Sequence, residues 1–157
     1  MTGRAIQDAY LPEFAHCYGC GPSNPQGLKL KSYLHDDETI ARITPEAKYS
    51  GGVPDHLYGG LIASLLDCHG TASAAAFACQ QEGLDLDAEG LPLRFVTASL
   101  KVDFKRPAPL GVELTVRGRL RSLEGRKAWI DLELSAADGV CATGEMLAIR
   151  LAEAARG

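Results

Sequence analysis

The sequence is short of the side chains that serine hydrolases use. It has four histidines, one tryptophan and no G-x-S-x-G elbow, which argues against the strand-to-helix serine nucleophile of an α/β-hydrolase. It has no cationic excess: 16 Lys and Arg stand against 20 Asp and Glu, a formal net charge of −4. A footprint for nucleic acid or an anionic membrane is therefore not expected, although a local basic pocket for a phosphorylated ligand is not excluded. The five cysteines are odd in number and scattered, a pattern of reduced thiols and not of a disulfide framework. The opening MTGRAIQDAY lacks the apolar run of a signal peptide, and no uninterrupted apolar segment approaches membrane-spanning length. A cytoplasmic protein with neither nucleic acid nor membrane as partner is the expectation. There are no internal repeats and no low-complexity tracts.

What is present is enough for one core. A chain of 157 residues that is 46% hydrophobic and 23% charged has the size and composition of a single domain. Residues 1–27 end in HCYGCGPSNPQG and read as an irregular, turn-rich lead-in. Residues 28–153 read as the domain itself. Leu28 to Tyr33 and Thr39 to Ile43 alternate apolar with polar residues around His35-Asp36-Asp37-Glu38, predicting a hairpin. After a loop over 44–57, Gly59 to about Gln81 is apolar on nearly all sides. It is also crowded with Ala72, Ser73, Ala74, Ala75, Ala76 and Ala78, as a helix buried closely against other backbone would be.

Beyond a polar loop from Glu82 to Gly90 the period changes to two. Ala98, Leu100, Val102 and Phe104 share a face; so do Val112, Leu114, Val116 and Leu120; so do Ala128, Ile130, Leu132 and Leu134. Asp138-Gly139 is a strong hairpin signal before a last strand from Val140 to Leu151. Two strands, one long helix and four strands with short connections predict an α+β domain in which an antiparallel sheet of about six strands curls around one helix.

The chemistry concentrates at YGGLIASLLD, Tyr58 to Asp67. The first N–H groups of a helix have no internal partner, and glycine leaves them open, so Gly59 and Gly60 can serve as oxyanion donors at the positive end of the helix dipole. Asp67 follows two turns later. A thioester needs a stabilised oxyanion and an activated water, but its thiolate leaves with little help from a general acid. One carboxylate plus backbone donors therefore suffices, without the histidine acid that an ester or amide requires. Cys68 and His69 diverge by about 100° on a helix and are poorly arranged as a nucleophile and base. Cys17 and Cys20, even with His16, are at most part of a zinc site, because structural zinc takes four ligands and no second C-x-x-C occurs. A tight turn is expected there, with no metal and no cofactor.

In this order the residues resemble the hotdog-fold acyl-CoA thioesterases, in the branch of the phenylacetate-pathway and 4-hydroxybenzoyl-CoA-type enzymes and mammalian thioesterase-superfamily members. The resemblance rests on Cys17-Tyr18-Gly19-Cys20-Gly21 with Asn24-Pro25-Gln26-Gly27-Leu28, on Gly59-Gly60 with Leu66-Asp67, on Val96 to Phe104 with Arg106-Pro107, and on Gly125-Arg126-Lys127. It implies a homodimer with sheets joined edge to edge, which in some members pairs into tetramers, and active sites shared between subunits. It further implies acyl-CoA as substrate, the thioester carbonyl on Gly59 N–H, Asp67 as base or nucleophile, and a water-positioning hydroxyl on Thr97. Strict alternation places Thr97 on the face away from its own helix unless Phe95-Val96 forms a bulge; a residue serving the neighbouring subunit would point that way.

The family commonly has histidine where this chain has Tyr58. Tyr58 and His56 are candidates for substrate contact, and Arg106, Arg126 and Lys127 for the phosphates of coenzyme A. The expected activity is hydrolysis of an acyl-CoA to an acid and free CoA. The rivals are a non-catalytic acyl-CoA sensor or carrier and a hotdog enoyl-CoA hydratase, whose site pairs aspartate with histidine. A small zinc-dependent interaction domain is a further alternative resting on Cys17 and Cys20 alone.

Overall fold

Glycines set both ends of the long apolar segment. In the computed structural model, which describes residues 3–87 and 90–152, the helix α1 runs Gly59–Glu82 behind the N-cap Tyr58. Gly83 closes it in the left-handed conformation at φ 67, and Leu84 N–H returns to Cys79 O at 2.8 Å. The sheet consists of β1 (Ser32–His35), β2 (Glu38–Ile43), β3 (Phe95–Phe104), β4 (Leu114–Glu124), β5 (Lys127–Ala136) and β6 (Gly139–Arg150). Its spatial order is β1-β2-β4-β5-β6-β3, antiparallel throughout. The sheet wraps α1, so the α+β hotdog fold expected from the sequence is the one observed.

α1 is buried because of its small residues: Ala72, Ala74, Ala75, Ala76 and Ala78 are at most 2% exposed. Against them lie Leu114, Val116, Ala128, Ile130, Leu134, Met146 and Ala148 from the inner face of β4, β5 and β6. By length and composition α1 is apolar enough to cross a membrane, a point the sequence reading missed, but 78% of its most apolar window is buried within this domain.

Several boundaries moved. The first strand begins at Ser32, not Leu28, because Lys29 has φ 53 and Leu30 N–H is taken by Gly19 O. Val112 is 45% exposed and precedes β4, so it does not join Leu114 and Val116 on the core face. The lead-in contains 3-10 turns over Ile6–Ala9 and Pro12–Phe14 and contributes Ile6, Ala9, Tyr10, Ala15 and Cys20 to the core. Ala88 and Glu89 of the expected loop, the end of the domain at Glu153, and Met1 and Thr2 lie outside the described residues.

A buried polar chain ties the lead-in, β1, β2 and α1 together. Gln7 Nε2 donates to Ser32 Oγ (3.0 Å), and Ser32 N–H donates to Gln7 Oε1 (2.8 Å). Ser32 Oγ meets His69 Nδ1 at 2.8 Å, and His69 Nε2 reaches Thr39 O at 3.2 Å. A carbonyl can only accept, so Nε2 carries the proton and Nδ1 accepts from Ser32. Ser73 Oγ and Thr39 Oγ1 lie 2.5 Å apart. Gly118, opposite Thr39, leaves room for this pair: a Cβ there would sit 2.6 Å from both hydroxyl oxygens. Gly118→Ala is expected to lower stability by about 2 kcal/mol through overpacking, seen as a lower urea midpoint at unchanged slope.

Candidate active site

The loop before α1 fixes where the helix starts. Gly51 N–H donates to His56 O (2.8 Å), Leu57 N–H to Ala108 O (2.8 Å) and Tyr58 N–H to Tyr49 O (2.9 Å), while His56 bridges to Pro109. Tyr58 O accepts from Leu61 and Ile62 N–H. Among the described residues no backbone carbonyl accepts from Gly59 or Gly60 N–H, so both donors stand open at the positive helix end. Gly59 borders a cleft of about 500 Å³ with His56, Ile62, Phe104 and Arg106. The edge of the Phe104 ring lies 3.4 Å from where a Gly59 Cβ would be. Gly60 is roofed by Tyr58, whose hydroxyl would stand 2.3 Å from a Gly60 Cβ. Tyr58 is itself 56% exposed, so its ring covers the helix entrance from the solvent side.

Asp67 is half-buried on α1, and Thr97 Oγ1 donates a hydrogen bond to its Oδ1 within the same chain. This corrects the strict-alternation reading of β3. The register of β3 against β6 skips between Thr97 and Ser99, so the bulge is at Ala98 and not at Phe95-Val96. The extra residue turns Thr97 toward its own helix together with Phe95, while Leu100 and Val102 pack on the core beyond the bulge. Ala98 itself is exposed and leaves the face assigned to it.

Two expected groupings are not assembled within one chain. Asp67 lies eight helical steps beyond Gly59, about 12 Å of rise, so both cannot reach the same carbonyl carbon from one subunit. Arg106 and Arg126 lie at opposite ends of the sheet. β3 begins beside Arg150, whose carbonyl Arg126 holds, and ends beside Ala142 nine residues on, about 30 Å away. Arg106 borders the cleft but is engaged with the Asp138 carboxylate and carbonyl. Lys127 is exposed at the start of β5.

His69 is fully buried, and desolvation lowers its pKa to about 4 despite its bond to the Thr39 carbonyl. Cys68 points elsewhere, with its Sγ 3.7 Å from Cys17 Sγ, so Cys68 and His69 do not form a catalytic pair. The Cys68 thiol beside Cys17, helped by the backbone N–H groups of Cys20 and Gly19, holds the Cys17 thiol down to about 5. Sequence reasoning treated Cys68 as packing and missed this contact, because nothing in the spacing of residues 17 and 68 announces it.

Comparison with known proteins agrees with the fold. The family model of the Thioesterase superfamily matches residues 55–143. The crystal structure of a thioesterase superfamily protein from Shewanella loihica PV-4 is 39% identical and covers 89% of this chain and 97% of that one, with a TM-score of 0.67. The E. coli PaaI protein from the phenylacetic acid degradation operon, 22% identical over 78% of this chain and 84% of that one, shares the fold at a TM-score of 0.60. The acyl-coenzyme A thioesterase THEM4 of Rattus norvegicus is 32% identical over 87 residues, 55% of this chain; the match spans 31% of that relative's length. The chain belongs to the hotdog-fold thioesterase superfamily.

Proposed function

We propose that the protein is an acyl-CoA thioesterase that hydrolyses the thioester to a carboxylic acid and free CoA. The observation that carries this reading is Asp67, a carboxylate on the core helix oriented by Thr97, in a chain whose helix entrance offers unpaired N–H donors. Asp67 either removes a proton from the attacking water or attacks the carbonyl carbon itself, expelling the CoA thiolate and leaving an anhydride that water cleaves. Gly59 N–H, with Gly60 beside it, receives the negative charge that develops on the carbonyl oxygen.

The 12 Å between these groups calls for two subunits, with Gly59 of one chain and Asp67 of the other serving one substrate. β3 is the sheet edge suited to joining them, since it is ten residues long and exposes Val96 and Phe104, whereas the opposite edge, β1, has only four residues. Such pairing also allows Arg126 and Lys127 of one chain to reach the phosphates of a CoA held near Arg106, His56 and Tyr58 of the other. The enoyl-CoA hydratase reading is disfavoured, because His69 has both ring nitrogens committed to the core and no histidine hydrogen-bonds Asp67 among the described residues.

Thiol release from a panel of short, medium, long and aromatic acyl-CoAs tests the activity. Binding without turnover would replace it by the sensor or carrier reading. In the same assay Thr97→Val, which keeps shape but removes the hydroxyl, is expected to lower kcat by roughly ten- to a hundredfold, the worth of one hydrogen bond to a charged group. The KM should stay near the parent value.

A further inference from the structure

Three of the five cysteines converge at one point. The Sγ atoms of Cys17, Cys20 and Cys68 all lie within 4.8 Å of one another, two from the lead-in and one from α1. We propose that these three thiols form a binding site for a thiophilic d10 cation, with zinc(II) as the fitting ion. Sulfurs bound at about 2.3 Å in a tetrahedral shell stand roughly 3.8 Å apart. Cys17 and Cys68 already meet at 3.7 Å, and the widest pair needs to close by no more than about 1 Å.

The surrounding chain is shaped to bring the sulfurs together. Gly21 N–H closes the turn onto Cys17 O at 2.8 Å. Gly19 lets this turn rest on the helix, since a Cβ there would lie 2.4 Å from Cys68 Sγ. Leu28 and Leu30 N–H then hold Tyr18 and Gly19 carbonyls, fixing the turn against the chain that follows. Cys20 and Cys68 are buried while Cys17 is exposed, which gives an entry path and an outer position for water.

Each thiol that ligates gives up its proton to solvent, with no change of oxidation state. The inference does not depend on the thioesterase reading.

The test is anaerobic titration of reduced, metal-stripped protein with cobalt(II), followed by zinc(II). The expected result is a thiolate-to-cobalt charge-transfer band with visible tetrahedral d–d absorption, saturating at one ion per chain and displaced by zinc. Loss of one second-shell contact alone costs about tenfold or more in affinity, so Cys17→Ser, Cys20→Ser and Cys68→Ser should each lose at least about tenfold. Cys79→Ser and Cys141→Ser should keep the parent affinity. Gly19→Ala retains every cysteine and should also weaken the site; circular dichroism establishes that each variant is folded. No charge-transfer band in the parent protein, or a band untouched by Cys68→Ser, overturns the proposal. So does a protein whose thiols count two short after aerobic purification and whose reduced form ignores cobalt, which would make the cluster a disulfide pair.

Discussion

Asp67→Asn is expected to lower kcat for acyl-CoA hydrolysis by about 10²–10⁴-fold while leaving KM within a few fold of the parent value. Asparagine preserves the volume and an acceptor for Thr97 Oγ1, so the local packing survives. What it removes is the negative charge and basicity that water activation or nucleophilic attack requires. A loss confined to kcat identifies an interaction made at the chemical step, whereas a rise in KM at unchanged kcat would mark Asp67 as a binding residue only. Turnover equal to the parent would exclude both proposed roles. Rapid-quench mass spectrometry during parent turnover separates the two routes, because only the anhydride leaves an acyl group on Asp67.

The second large effect is on stability in acid. His69 has a pKa near 4 in the folded protein against about 6.5 in the unfolded chain, because burial excludes its charged form. Between those values the unfolded state binds a proton that the native state does not, so stability rises with pH across this window and is lost as pH falls. The loss begins below about pH 6.5 and is complete near pH 4, where the native imidazole also titrates. Its full size is about 3 kcal/mol from this one side chain, a large share of the 5–15 kcal/mol typical of a domain. Urea unfolding at pH 7.5 and pH 4, compared with His69→Gln, isolates the effect from the carboxylates that titrate in the same range. The glutamine variant, with a polar side chain for Ser32 and Thr39 but no titration, should show a pH dependence flatter by about that amount. Equal slopes for the two proteins would mean that His69 is charged in the native state.

Local features of the chain made the frame legible. The small-residue helix from Gly59, the alternation at Ala128, Ile130, Leu132 and Leu134, and the Asp138-Gly139 turn each depend on period and composition, which a single strand or helix displays by itself. The errors came where one neighbour decides the outcome. Leu28 to Lys31 alternate as a strand would, yet Leu30 bonds to Gly19 and Lys29 adopts a positive φ. Strict alternation without a bulge puts Thr97 on the wrong face, because the bulge at Ala98 is a property of the register between β3 and β6, invisible in either strand alone.

The sequence by itself determined an α+β domain with one sheet curled around one helix, the positions of helix and strands to within a few residues, and the residue types at the helix entrance, because hydrophobic period and turn chemistry act over short distances; the hotdog class came from the resemblance of its motifs to a known family. Only the tertiary structure decided that Thr97 holds Asp67, that His69 bonds to Ser32 and Thr39 in the core, and that Cys68 meets Cys17 and Cys20. Each of these is a distance between segments remote in sequence, set by how α1 seats in the curled sheet, and no local pattern encodes such a distance.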